Sequence, residues 1–193
     1  MGTKFSTRVW VSVVGIASIF FGSKGYADTV ISVADFGLKP DTRENAVAYV
    51  QKAIEACRGK EPVTLVFPEG RYDFWPQYAH EKNYYETNTY DVFPKRLAML
   101  FEGLHNITVD GNGSQFVMHD RIQPITVENC DGVTLKNFSI DWDIPLTAQA
   151  RVTKVGSDFF EIEINVLESP YIIEDGKLVF VGEGWKSALG SMI

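Results

Sequence analysis

Cysteine and histidine are scarce in this chain, with two and three residues among 193. Two thiols do not make a disulfide-dense scaffold. Cys57 falls on the apolar face of a predicted helix and Cys130 beside a predicted strand, so separate thiols are expected rather than a bridge. The sequence has no His/Cys cluster and no Asp-x-Asp-x-Asp-Gly loop, so neither a metal nor another cofactor is expected. Basic side chains are outnumbered 18 to 25, and a formal charge of −7 gives no electrostatic reason to bind a phosphate backbone. Nucleic acid is therefore not an expected partner. Long apolar runs are missing too: Val9–Phe21 is 13 residues, short of the roughly 20 that cross a bilayer.

That run has another use. Lys4 and Arg8 precede it, and small residues at Gly25 and Ala27 follow, the pattern of a signal peptide cut after Ala27. The expectation is an exported protein, periplasmic or secreted, with no stable membrane span once residues 1–27 are removed. Those residues hold three basic and no acidic groups, leaving 15 basic against 25 acidic, a formal −10. A partner that is neutral is expected; oligomerisation stays open.

Aromatic residues are plentiful, with 8 Tyr, 13 Phe and 4 Trp. Asp41 with Glu44 makes a capping-box pattern, and Val47, Val50, Ile54 and Cys57 follow at helical spacing, so a helix is predicted over about 42–58. Alternation at Val63, Leu65, Phe67 and then Tyr72, Phe74 predicts strand, turn, strand. Ile107-Thr108-Val109 is echoed by Val133-Thr134-Leu135 after 26 residues, with Ile125-Thr126-Val127 between, and Thr64-Leu65 lies 44 residues before Thr108-Val109. Removing the 22 residues Trp75–Arg96 from that interval leaves about one coil, so the spacing predicts an all-β stack, a parallel β-helix carrying an insertion at 75–96. Asp110-Gly111-Asn112-Gly113 would form a corner. A two-layer sandwich is the rival arrangement. From about residue 148 two hairpins, one turning at Gly156-Ser157 and one at Asp175-Gly176, predict a separate antiparallel β module over 148–193, after coils spanning 28–147. Roughly three coils are needed for a stable stack, and this chain supplies little more than two, so it is expected to be the front part of a longer protein.

Three segments can carry chemistry. The insertion interleaves Trp75, Tyr78, Tyr84, Tyr85 and Tyr90 with His80, Glu81, Asn83 and Glu86. Sugars present an apolar C–H face and hydroxyl edges, so rings beside polar groups suit them; a loop whose rings merely pack on the coil beneath is the alternative. Asp141-Trp142-Asp143 ends a strand, with two carboxylates projecting to one side roughly 6–7 Å apart at the backbone, a spacing compatible with a glycosidase pair, a turn cap or a calcium-binding edge. His119 and Asp120, with Arg121, sit between coils, where they could orient a hydroxyl or satisfy a corner. Trp75, His80, Tyr84, Tyr85, His119, Asp120 and Trp142 are the candidate substrate contacts, with Asp141 and Asp143 the candidates for catalysis within these residues.

Two resemblances sit on longer motifs. Ile31-Ser32-Val33-Ala34-Asp35-Phe36-Gly37, the helix and Val66-Phe67-Pro68-Glu69-Gly70-Arg71-Tyr72 resemble the start of pectate-lyase-type right-handed β-helices, where a helix plugs the first coil. The run from Phe74-Trp75-Pro76-Gln77-Tyr78 to Asn88, then Asp110-Gly111-Asn112-Gly113-Ser114 and Ile140-Asp141-Trp142-Asp143-Ile144-Pro145, is similar to the exo-acting α-1,3-galactosidases of glycoside hydrolase family 110. That resemblance implies a metal-independent inverting hydrolase of terminal α-1,3-linked galactose, as in blood-group-B-like glycans, and a β-barrel inserted after the early coils. It also implies that the catalytic acid and base lie beyond residue 193. A polyuronide lyase or hydrolase on the same scaffold and a non-catalytic carbohydrate-binding fragment are the alternatives.

Overall fold

The computed structural model describes residues 29–83 and 94–188. Its regular structure is mostly β, with one α-helix. The first strand, β1 (Thr29–Ser32), runs into a single 3-10 turn whose capping box is Ser32 with Asp35, and Gly37 closes the turn at φ 93°. After α1 (Val47–Cys57) come β2 (Val63–Val66) and β3 (Arg71–Phe74). The insertion opens with β4 (His80–Lys82) and closes into β5 (Lys95–Glu102), paired antiparallel.

The long strands β6 (His105–Met118), β7 (Gln123–Glu128) and β8 (Asp131–Trp142) complete the stack. β1, β2, β6 and β8 lie side by side in parallel, with Leu65 opposite Val109 and Val109 opposite Leu135. The offsets of 44 and 26 residues are those read from the triplets. Ile125-Thr126-Val127 belongs elsewhere: β7 pairs in parallel with β5, placing Ile125 opposite Met99 in a second sheet. Residues 63–102 and 105–128 thus each contribute strands to two sheets. At the corner, Asn112 (φ 50°) and Gly113 (φ 84°) take left-handed angles, and the offset falls from 26 to 24 as Ser114 pairs with Phe138. A Cβ at Gly111 would stand 2.5 Å from Phe138 Cβ and 2.7 Å from Asn137 O, so only glycine lets the two coils close up here.

Apolar residues of both sheets meet inside the stack, where Leu65, Phe67, Tyr72, Phe74, Met99, Phe101, Ile107 and Phe116 are buried together. The helix closes one end by burying Val47, Val50, Ala53, Ile54 and Cys57 against them. It begins five residues later than the Asp41–Glu44 pattern predicts, because Asp41 Oδ1 accepts the Arg71 N–H across the chain instead of capping. Asn45 Oδ1 takes the capping task, accepting the Val47 N–H. Cys57 and Cys130 are both free thiols.

Beyond residue 148 the pairing turns antiparallel, as the hairpins predict. β9 (Arg151–Val155) pairs with β10 (Phe160–Glu163), and β11 (Tyr171–Glu174) with β12 (Lys177–Val181), which also pairs with β13 (Lys186–Ala188). Asp175 (φ 51°) and Gly176 (φ 72°) both take the positive angles that a two-residue hairpin needs. Among the described residues these are open sheets of two and three strands, and many of their apolar side chains, such as Val155, Phe160 and Ile173, are exposed. No helix among the described residues is long and apolar enough to cross a membrane.

Candidate functional site

Parallel stacking brings together residues far apart in sequence. Phe74, Met118 and Trp142 are register partners on β3, β6 and β8. The ladder runs one residue further, because His119 N donates to Phe74 O and Asp143 N to Met118 O. Trp75, His119 and Asp143 therefore occupy one column across three coils. Arg71, Asp73 and Trp75 alternate along β3 with the core residues Tyr72 and Phe74, which turns them toward this column's face.

The column is bound by a continuous polar chain. Arg71 donates to both oxygens of Asp73 and, at 2.7 Å, to Asp143. His119 Nε2 meets Asp73 Oδ1 at 2.8 Å, while its Nδ1 meets Glu183 Oε1 at 2.7 Å. Trp75 covers the His119 ring in a stack, centroids 3.8 Å apart and planes 7° from parallel. Asp73 is wholly buried. Burial on its own would raise its carboxyl, but hydrogen bonds from Arg71 and His119, with their charge, outweigh it and hold Asp73 below the ordinary carboxylate range. The same contacts act in reverse on Arg71, whose guanidinium is held more firmly protonated, chiefly by Asp73, against a smaller opposing cost of burial.

Donor atoms of Asp73, His119 and Asp143 lie within 4.8 Å of one another, close enough to hold a cation. Arg71 already supplies positive charge to both carboxylates, at 2.6 and 2.7 Å, and Arg43 stands 3.8 Å from Asp143. The donor set is thus charge-balanced by the chain's own arginines, a poor match to a cation that would have to displace them.

The antiparallel module closes the other side. Glu183, in the turn between β12 and β13, accepts from the Asp120 N–H at 2.9 Å as well as facing His119. Arg121 donates to Gly184 O, and the Asp120 carboxylate lies so close under Gly184 that a Cβ there would collide with it. Trp142 Nε1 donates to Asp120 O at 3.1 Å.

Of the sequence candidates, the structure gathers Trp75, His119, Asp120, Trp142 and Asp143 at this edge. Asp141 is exposed, its Oδ1 accepting the Trp142 N–H. His80 is exposed on β4, paired with Leu97 in the other sheet and not in the column. Tyr84 and Tyr85 lie outside the described residues. Sequence reasoning missed Arg71, Asp73 and Glu183. For Arg71 and Asp73 a signal existed, two charges alternating with Tyr72 and Phe74 on a core strand; Glu183 carries none, since its contacts span more than sixty residues.

Residues 148–193 match the family described as GLAA-B beta-barrel domain I. Alpha-1,3-galactosidase B of Bacteroides thetaiotaomicron is 60% identical over 167 residues, 86% of this chain and 27% of that protein. Over that stretch the chain is similar to an α-1,3-galactosidase. Alpha-1,3-galactosidase A of Shewanella woodyi is 37% identical over 158 residues, 81% of this chain and 26% of that relative. Alpha-1,3-galactosidase B of Phocaeicola vulgatus is 36% identical over 184 residues, 93% and 29% respectively. The chain thus spans little more than a quarter of the length of these α-1,3-galactosidases.

Proposed function

We propose that this chain is the amino-terminal part of an exported, exo-acting glycosidase that removes terminal α-1,3-linked galactose with inversion. The observation that carries the reading is the 60% identity over 86% of the chain to a protein named alpha-1,3-galactosidase B. The parallel register of β1, β2, β6 and β8 supports the finer fold, a right-handed β-helix whose first coil is plugged by α1, with residues 148–193 the start of an inserted barrel.

In an inverting hydrolysis one carboxylic acid protonates the leaving oxygen while a carboxylate activates water on the opposite sugar face, the two standing about 6.5–9.5 Å apart. Asp73 and Asp143 do not fit those parts. Their facing oxygens share one Arg71 nitrogen, and Asp73 is buried and held ionised, so it has neither the proton nor the access of a general acid. We assign the pair to bracing: Arg71, Asp73 and His119 fix the edge on which the half-buried ring of Trp75 faces a neutral sugar. The acid and base then belong to later coils. The test is hydrolysis of a chromogenic α-galactoside by this chain and by the chain extended with its downstream sequence. Turnover only in the extended protein is expected. Unsaturated uronate products from a polyuronide would instead make the protein a lyase, and sugar binding without turnover in both forms would make it a binding module.

A further inference from the structure

The loop that carries Trp75 continues into a feature the proposed reaction does not use. Pro76–Ala79 is a tight turn closed by Ala79 N donating to Pro76 O at 3.1 Å. Its third residue, Tyr78, has φ 67°, the position of such a turn that favours glycine or asparagine. A bulky aromatic there is strained and gains nothing from burial, since Tyr78 is 66% exposed. The helix and the segment leading into it hold the strained turn in place: Gln51 Nε2 donates to Tyr78 O at 3.0 Å, and Asn45 Nδ2 to Gln77 O at 2.8 Å. Stability alone would select a small residue at 78; the chain instead splints a ring into solvent.

That ring borders a surface cavity of about 370 Å³, shared with Glu44, Asn45, Ala48, Tyr49 and Lys52. The volume lies in the ~300–1,000 Å³ range of small-ligand sites. Tyr78 is exposed and Tyr49, half-buried against the core, also lines the cavity, where Glu44 and Lys52 add one acceptor and one donor of opposite charge. Rings beside polar groups with no net charge fit a neutral pyranose better than a uronate or an amine.

We infer that Tyr78, splinted by Gln51 and Asn45, forms with Tyr49 a second, non-catalytic subsite for a neutral sugar at the helix-plugged end of the coil stack. The subsite rests on the glycan reading of this protein and adds to it a second anchor, three residues along the chain from Trp75, for another residue of the same glycan. The experiment is an NMR titration of the chain, labelled in its tyrosine rings, with the disaccharide galactosyl-α-1,3-galactose, and with galacturonate as the charged control. Saturable shifts of the Tyr78 and Tyr49 rings in the millimolar range, with the disaccharide only, are expected. Tyr78→Gly relieves the turn, so its Tm should be unchanged or a few degrees higher while the Tyr49 shift weakens at least tenfold. A Tyr78→Gly affinity within twofold of wild type, or equal response to galacturonate, overturns the subsite. Hydrolysis of the disaccharide by the extended protein with unshifted tyrosines also removes the subsite and leaves the galactosidase reading standing. Shifted tyrosines without hydrolysis do the reverse.

Discussion

At the scale of single residues, Asp73 shows how the fold and the site share one interaction. It is a wholly buried carboxylate with two partners, and removing one member of a buried ion pair usually costs about 3–5 kcal/mol because the other is left uncompensated. Asp73→Asn should therefore lower stability by about 3 kcal/mol at pH 7, measured by urea unfolding. Because the folded protein holds Asp73 below its ordinary value, the folded state binds the proton less readily than the unfolded one. Its contribution is complete above the ordinary carboxylate value of about 4 and is lost as the pH falls below that. The gap between wild type and Asp73→Asn should be full at pH 7 and should narrow on acidification below about pH 4; a gap that widens there would contradict the ionised assignment. Cys57 makes a second case. Burial pushes its thiol up to about 11, so at pH 8 a thiol reagent should modify it only after unfolding, whereas labelling in the native protein would show that the helix end opens.

Among elements, the stacking of β8 on β6 depends on the corner. At Gly111 a methyl group meets Phe138 and the Asn137 carbonyl, so Gly111→Ala should cost about 1–3 kcal/mol in thermal or urea unfolding, as forced overpacking does. Glycine at 113, where nothing lies within 4 Å of an added Cβ, serves its φ of 84° instead. The 26-residue echo of the triplets was legible because a coil repeats its inward residues at a fixed interval, and the hairpin at Asp175-Gly176 because its turn type restricts the residues allowed. The helix start was not legible. Asp41-x-x-Glu44 satisfies the local capping pattern, but the Arg71 N–H thirty residues later competes for the same carboxylate and wins. The sheet of the middle triplet was not legible either: Ile125-Thr126-Val127 repeats the composition of its neighbours, yet composition does not say which of the two sheets a strand joins.

Across the whole molecule, the coil stack and the antiparallel module meet through Glu183, Gly184, His119, Asp120 and Arg121. Glu183→Ala leaves His119 Nδ1 and the Asp120 N–H without their acceptor, a loss of about 1–3 kcal/mol. Limited proteolysis should then cut within residues 148–188 faster than in wild type while the stack resists; equal rates would show that the module is held elsewhere. Much of the candidate site was foreseeable, since Trp75, His119, Asp120, Trp142 and Asp143 each end or follow a strand of the parallel sheet, and parallel neighbours place such positions together. His80 belongs to a strand of the other sheet, and no local pattern announces a partner as distant as Glu183. If this braced edge serves the cleavage of α-1,3-linked galactose, the chain extended with its downstream sequence should release galactose from galactosyl-α-1,3-galactose. Release of galactose that falls at least 100-fold in a folded Asp73→Asn variant is the expected result. No galactose from the extended, folded protein, or equal release by the variant, would contradict it.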